Sequence, residues 1–149
     1  MSDKLIKQQI IEFNNNYISL NRAYEDFAKS VDVPYTTLEI LDYITEMDGC
    51  TQKILCEYTF LPKQTVNNVI TAFYKEGLIE LRELPSDRRN KTIHLTAKGK
   101  EYSDQFVPQM QRAEYEAMKK LTQEQRKNFL DGMKAYCEAF KQVMLKDND

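Results

Sequence analysis

The sequence predicts a mainly α-helical protein: a winged helix-turn-helix with long helices on either side and a two-stranded β-wing. Three observations predict this fold class. Glycine and proline are scarce, at four each in 149 residues, which is typical of a helical chain with few loops. Apolar residues recur every three or four positions over most of the chain. The stretch 78–95 instead alternates around a cluster of turn formers, as a β-hairpin does.

Two helices are predicted in the N-terminal third. The first should end before Pro34, and its apolar residues at helical spacing are Ile6, Ile10, Phe13, Tyr17, Leu20, Tyr24 and Phe27. A second helix is predicted over about 37–47, preceded by a capping box of Thr36 and Glu39. The Asp-Gly pair at 48–49 would end it.

Two shorter helices follow and form a helix-turn-helix candidate. Thr51 is the predicted N-cap of the first. Pro62 is expected at the first position of the second, where its missing N–H costs nothing, and Gly77 at its C-terminal stop. The apolar stripe of the second helix comprises Val66, Val69, Ile70 and Phe73. The polar residues off this stripe are Lys63, Gln64, Thr65, Asn67, Asn68 and Thr71.

Two more helices are predicted after the hairpin. Thr96 should cap a helix that continues to about residue 120 and kinks at Pro108. Thr122 and Gln125 form a capping box that opens the final helix. The apolar stripe of the final helix comprises Phe129, Leu130, Met133, Cys137, Phe140 and Met144. Because the stripes of the first and last helices would be exposed in one copy, we expect a homodimer that buries them.

Positive charge is concentrated in one part of the chain. The net charge is −2, but residues 61–100 carry eight cations and four anions. Three of these cations, Arg88, Arg89 and Lys91, lie at or beside the hairpin tip. Local positive charge next to a helix-turn-helix predicts double-stranded DNA as a partner.

Other classes of protein are not favoured. No long apolar run or secretory signal is present, so we expect no membrane partner and a cytoplasmic protein. Three widely spaced cysteines, Cys50, Cys56 and Cys137, fit neither a disulfide framework nor a zinc site. His94 is the only histidine, so we expect no metal. No catalytic or cofactor-binding motif appears, so we expect neither an enzyme nor a cofactor.

The stretch "DRRNKTIHLTAKG" resembles the wing signature of the MarR family of bacterial transcription regulators, an Asp two residues before an Arg and then Leu-Thr-x-x-Gly. Asp87, Arg89, Leu95, Thr96 and Gly99 occupy those positions. "TVNNVITAFYKEGLIE" is similar to the family's recognition helix running into the first wing strand. The resemblance implies one domain over 1–149. Segments 1–33 and 97–146 would be mainly dimerisation helices, and 34–96 the winged-helix DNA-binding part.

The resemblance also implies a homodimer that binds inverted-repeat DNA, usually as a repressor. The DNA-binding residues carried over from the recognition helix are Lys63, Gln64, Thr65, Asn67 and Asn68, which would contact base edges. Arg89 would enter a minor groove, held extended by a hydrogen bond from its guanidinium to Asp87, while Arg88 and Lys91 contact phosphates.

Many MarR-like proteins release DNA on binding a small, often aromatic ligand, which the resemblance implies as an effector here. We expect its pocket at Tyr17, Tyr24 and Tyr43, because tyrosine offers an apolar wall and a hydroxyl.

Two residues depart from the family's usual pattern: Asn68 stands where many members have Arg or another long side chain, and Phe60 stands where a helix-turn-helix often has glycine. Two alternatives remain open, a winged-helix protein-interaction module without DNA binding and a regulator switched by cysteine oxidation.

Overall fold

The structure is a computed structural model that describes residues 3–146. In chain order its elements are α1 Asp3–Ser30, α2 Tyr35–Glu46, α3 Gln52–Thr59, α4 Lys63–Lys75, β1 Ile79–Leu84, β2 Asp87–Leu95, α5 Ala97–Ser103, α6 Val107–Lys120 and α7 Gln123–Lys146. The predicted fold class, a mainly helical winged helix-turn-helix with a two-stranded antiparallel wing, is confirmed.

The chain divides into two compact units, Met1–Pro108 and Gln109–Asp149. The single domain expected over 1–149 stays a prediction, and residues 1–2 and 147–149 of it lie outside the described part. The core of the first unit is formed by α2, α3, α4 and the hairpin. Ile40, Leu41, Leu55, Val66 and Ile93 from these elements are all 0 % exposed. This core fixes α4 and the hairpin relative to each other.

The start of α2 differs from the prediction. Pro34 is its N-cap, with φ −56° and ψ 138°, and no side chain caps the helix. The predicted capping box of Thr36 and Glu39 is therefore wrong. Proline fixes its own φ and sets an extended residue directly before the helix, so Thr36 already lies in the first turn.

The helix-turn-helix is formed by α3 and α4. The Thr51 hydroxyl caps α3 as predicted, accepting a hydrogen bond from the Ile54 N–H at 3.3 Å. The turn passes through Phe60, whose φ of 54° lies in the left-handed region. Pro62 is the N-cap of α4 instead of its first helical residue, a difference of one position. Gly77 follows α4 with a φ of 72°, as expected of a glycine stop.

The wing is the hairpin of β1 and β2, which pair in antiparallel register from Ile79↔Leu95 to Leu84↔Asp87. Its base is attached to the loop between α2 and α3. The Ile93 N–H donates to the Cys50 carbonyl at 2.8 Å. The wing is thus fixed at its base, and its tip extends from the core.

The long helix predicted after Thr96 is divided in two. The Thr96 hydroxyl caps α5 by accepting a hydrogen bond from the Gly99 N–H at 3.0 Å, as expected. α5 then ends at Ser103, and α6 begins at Val107. Pro108 therefore lies in the first turn of α6, where its missing N–H costs nothing, and the predicted kink is wrong.

The second unit contains most of α6 and all of α7. The predicted capping box is confirmed: the Thr122 N–H donates to Gln125 Oε1 at 2.8 Å, and the Gln125 N–H to Thr122 Oγ1 at 3.1 Å. α7 exposes Phe129, Leu130, Met133, Tyr136, Phe140, Val143, Met144 and Leu145. In the first unit, α1 exposes Leu5, Ile6, Ile10, Ile11, Tyr17, Ile18 and Leu20. No helix within residues 3–146 has the length and apolar character needed to cross a membrane.

Candidate nucleic-acid interface

A groove of about 520 Å³ opens between the start of α3, the start of α4 and the wing, and we call it the cationic groove. Four cations line it: Lys53 of α3, Lys63 of α4, and Arg89 and Lys91 of β2. All four are exposed, and none of the lining residues is acidic. Converging positive charge without a carboxylate favours an anionic partner.

The start of α4 presents several of the predicted DNA-binding residues. Lys63, Gln64, Asn67 and Asn68 are exposed, whereas Thr65 is half-buried. Gln64 Nε2 donates a hydrogen bond to Asn68 Oδ1 at 2.8 Å, which places the two amides on one face of the helix. Of these five residues, Lys63 lines the cationic groove and the others lie outside it.

The wing tip is held through its backbone. Asp87 Oδ1 accepts the Arg89 backbone N–H at 3.0 Å, and Oδ2 accepts the Asn90 side-chain amide at 2.9 Å. The expected bond between Asp87 and the Arg89 guanidinium is therefore wrong, because both carboxylate oxygens hold the turn instead. Asp87 fixes where the Arg89 side chain leaves the strand. Arg88 is also exposed but does not line the cationic groove.

A hydrogen-bonded histidine joins the wing to the loop between α2 and α3. His94 Nδ1 lies 2.9 Å from Asp48 Oδ1, and Nε2 lies 2.9 Å from Thr92 Oγ1. A Cβ on Gly49 would come within 3.2 Å of the His94 ring, so the loop packs closely on it. His94 therefore anchors the wing, a role that sequence reasoning missed because its partner Asp48 is 46 residues away.

A second groove of about 310 Å³ lies between residues 32–34, α4 and α5. Asn68, Phe73, Glu76 and Tyr102 contribute to it. Burial, and then the nearby Glu76 carboxylate, raise the pKa of the Tyr102 hydroxyl. The groove therefore combines an aromatic wall with a phenol hydroxyl.

The three tyrosines predicted for the ligand pocket lie in separate aromatic pairs. The pairs are Phe13–Tyr17 at 6.2 Å between ring centroids, Tyr24–Tyr35 at 5.4 Å and Tyr43–Tyr58 at 5.8 Å. Neither groove described above is lined by Tyr17, Tyr24 or Tyr43. The ligand pocket at these residues stays a prediction.

The three cysteines have different surroundings. Cys50 is buried, and burial raises the pKa of its thiol to about 11, so it is protonated and a weak nucleophile at neutral pH. Cys56 is half-buried and lines the cationic groove. Cys137 is exposed on α7. Oxidation would therefore reach Cys137 and Cys56 before Cys50.

Sequence reasoning also missed Lys53 and Asn90 in the cationic groove. Lys53 lies two residues after the Thr51 N-cap, in the first turn of α3. Its charge on the first helix of the helix-turn-helix was the available signal. Asn90 stands between Arg89 and Lys91 in the sequence. It is an uncharged residue, and nothing in the sequence indicated that it would line the groove or bond to Asp87.

The comparisons with known proteins concern one segment of the sequence and the fold. A family model described as the MarR family matches residues 31–90. None of the curated proteins compared with the chain matches it. A MarR family regulator from Neisseria meningitidis has a similar structure, with a TM-score of 0.80 and 22% identity over 93% of this chain and 98% of that one.

Two Staphylococcus aureus structures are also similar. MarR in complex with salicylate and kanamycin has a TM-score of 0.71 and 19% identity, over 94% of this chain and 95% of that one. A MepR–DNA complex has a TM-score of 0.69 and 18% identity, over 87% of this chain and 96% of that one. At these identities the likeness concerns the fold. The family model confirms the resemblance over residues 31–90, and the similar structures confirm the fold.

Proposed function

We propose that this chain, whose matched segment and fold are those of MarR family regulators, is a homodimeric repressor that binds inverted-repeat double-stranded DNA. The observation that carries the proposal is the cationic groove. It brings Lys63 at the start of α4 together with Arg89 and Lys91 of the wing. A duplex whose backbone passes through this groove would meet α4 on one side and the wing on the other.

Base reading is assigned to the exposed face of α4. Gln and Asn can each form two hydrogen bonds with adenine in the major groove. Gln64 and Asn68 share one face and already bond to each other, so they would contact DNA as a pair. Asn67 and Thr65 complete the set, and Lys63 contacts phosphate.

The wing is assigned to the minor groove. Arg89 is exposed, and Asp87 fixes its backbone. A narrow A·T-rich minor groove concentrates negative potential, which attracts an arginine presented on a slim hairpin. Arg88 and Lys91 would contact the adjoining phosphates. The S. aureus MepR structure, solved as a complex with DNA, supports DNA binding by this fold.

A dimer supplies two such surfaces. The exposed apolar residues of α1 and α7 are the proposed dimer interface. Two α4 helices would enter successive major grooves about 34–36 Å apart. A small aromatic ligand that changes this spacing would release the DNA. The S. aureus MarR structure with salicylate supports a ligand of this class.

Substitution of Arg89 tests the proposal. Duplexes are first selected from a random library with the purified protein, and binding is then measured by fluorescence anisotropy at two salt concentrations. Arg89→Ala should weaken binding at fixed salt by about tenfold or more, since it removes the minor-groove contact. Affinity of the parent should fall steeply as salt rises, because phosphate contacts release counterions.

Arg112→Ala is the matched control, because it removes the same charge from an exposed position in α6. It should bind within about twofold of the parent, as expected of an exposed, screened charge that does not line the cationic groove. Equal loss in both variants would reject the minor-groove role of Arg89. A parent protein that binds no duplex even in dilute salt would reject DNA binding itself and favour a protein-interaction module.

A further inference from the structure

Phe60 combines two unfavourable features at one position of the helix-turn-helix. Its side chain is 91 % exposed, more than any other large apolar side chain in the described chain. Its φ of 54° lies in the left-handed region, which is unfavourable for a bulky residue. Asp32 also has a positive φ, 55°, but aspartate tolerates this conformation. Residues that lower stability and make no compensating contacts in the fold tend to occur at functional sites.

The turn around Phe60 is well ordered by its own hydrogen bonds. The Phe60 N–H donates to the Cys56 carbonyl at 3.1 Å. The buried Thr59 hydroxyl donates to the Leu55 carbonyl at 2.6 Å and accepts the Leu61 N–H at 3.2 Å. Rigid backbone on both sides therefore holds the aromatic ring outwards.

The position of the ring relates it to α4. Phe60 lies two residues before the Pro62 N-cap, and Lys63 and Gln64 form the first exposed turn of the helix. Leu61 and Thr65, which could otherwise offer apolar contacts, are half-buried. Phe60 is therefore the most exposed aromatic residue near the start of this helix, with Pro62 exposed next to it.

The major groove offers one apolar group to such a side chain, the C5-methyl of thymine. We propose that Phe60 is a specificity-determining residue that packs its ring against thymine methyl groups at the edge of the site contacted by α4. The inference rests on the proposed DNA binding and deepens it. It assigns to Phe60 a preference for thymine that the amides of α4 do not supply.

The experiment uses the full-length protein and a duplex selected from a random library. Binding of the parent, Phe60→Gly and Phe60→Leu is measured at fixed salt on this duplex and on a copy with deoxyuridine in place of every thymidine. Phe60→Gly should bind the thymidine duplex at least about fivefold more weakly and lose the difference between the two duplexes. The parent and Phe60→Leu should prefer the thymidine duplex by about threefold, since both keep an apolar side chain.

Thermal unfolding separates this role from a role in folding. Glycine adopts positive φ without steric cost, so Phe60→Gly should not lower the unfolding midpoint. A stable Phe60→Gly protein with parental affinity overturns the inference and leaves the ring to a protein partner. Weaker binding with an unchanged preference for thymidine also overturns it. If the parent binds no duplex, the proposed function fails, and the inference with it.

Discussion

At the scale of single residues, His94 adds a side-chain attachment of the wing to the backbone hydrogen bond between Ile93 and Cys50. Its side chain is 13 % exposed and forms hydrogen bonds with Thr92 within β2 and with Asp48 in the loop between α2 and α3. Asp48 itself is 81 % exposed, so solvent screens its charge. The packed imidazole ring, rather than its hydrogen bond to Asp48, should therefore supply most of the stabilisation.

Substitutions of the two partners should separate these contributions. His94→Ala removes two hydrogen bonds and the ring that packs on Gly49, so we expect the free energy of unfolding to fall by about 1–2 kcal/mol. Asp48→Asn retains a hydrogen-bonding side chain in solvent and should cost less than about 1 kcal/mol. Urea denaturation measures both, and equal losses would mean that the contact with Asp48 dominates.

The loss of His94 should also affect the wing's proposed contact with DNA. A wing that keeps the Ile93–Cys50 backbone hydrogen bond but loses the His94 contact samples more orientations, and ordering it on DNA costs conformational entropy. Affinity of His94→Ala for a selected duplex should therefore fall by less than that of Arg89→Ala, which removes the contact itself. A larger loss in His94→Ala would indicate that His94 contacts DNA directly.

At the scale of elements, the second half of the wing signature has a structural role. The Thr96 hydroxyl donates to the Gly77 carbonyl at 2.6 Å while it caps α5, so it ties the end of α4 to the start of α5. Gly99 lies against the same junction. A Cβ at this position would lie 1.8 Å from the carbonyl oxygen of Leu78. The glycine is required because α5 approaches backbone there.

Substitution of the glycine tests this close approach. Gly99→Ala should lower the free energy of unfolding by about 3 kcal/mol, because the backbone at Leu78 and that of α5 must separate. Gly132→Ala is the control, since a Cβ at this mid-helix position of α7 meets nothing within 4 Å. It should raise stability by about 0.5–1 kcal/mol through helix propensity. Thermal or urea denaturation distinguishes the two, and a tolerated Gly99→Ala would contradict the packing.

Local signals predicted some elements well and failed where two signals competed. The two predicted capping boxes illustrate this. Thr122 and Gln125 form one as expected, whereas Pro34 takes the N-cap position of α2, so Thr36 and Glu39 form none. Helical periodicity continues through Pro108 and predicted one kinked helix, yet the first helix ends at Ser103 and a new one begins at Val107. Proline outweighed the side-chain pattern in both failures.

In the candidate site, too, some features follow from local sequence signals and others do not. Lys63, Arg89 and Lys91 could be brought together from the sequence, because a helix-turn-helix followed directly by a hairpin constrains their positions. The bond of Asp87 to backbone rather than to the Arg89 guanidinium depends on the detailed turn geometry. The link between Asp48 and His94 depends on packing across the core, for which the sequence has no local signal.

At the scale of the whole molecule, the proposed dimer determines how DNA binding would work. Phe140 is 53 % exposed on α7, within the apolar stripe of that helix. Such a stripe is unusual on a monomer, and burying it in a second copy would hold two winged helices together. Linking two weak contacts makes the second effectively intramolecular, which multiplies the affinity for a double site.

Phe140→Asp tests this coupling, because a carboxylate on the stripe must lose its hydration when two copies associate. Sedimentation equilibrium at micromolar concentration should find a dimer for the parent and a monomer for the variant. Gln142→Asp, which also introduces a carboxylate on α7 but on the face opposite the stripe, should remain dimeric.

The DNA affinities of Phe140→Asp and the parent should differ on a full inverted repeat but not on a half-site. Phe140→Asp should bind a full inverted repeat about a hundredfold more weakly than the parent, because each winged helix then binds alone. Its affinity for a single half-site should equal that of the parent, since α4 and the wing are unchanged. Loss of half-site binding as well would mean that the substitution damaged the DNA-binding surface. A variant that stays dimeric would place the interface elsewhere on the chain.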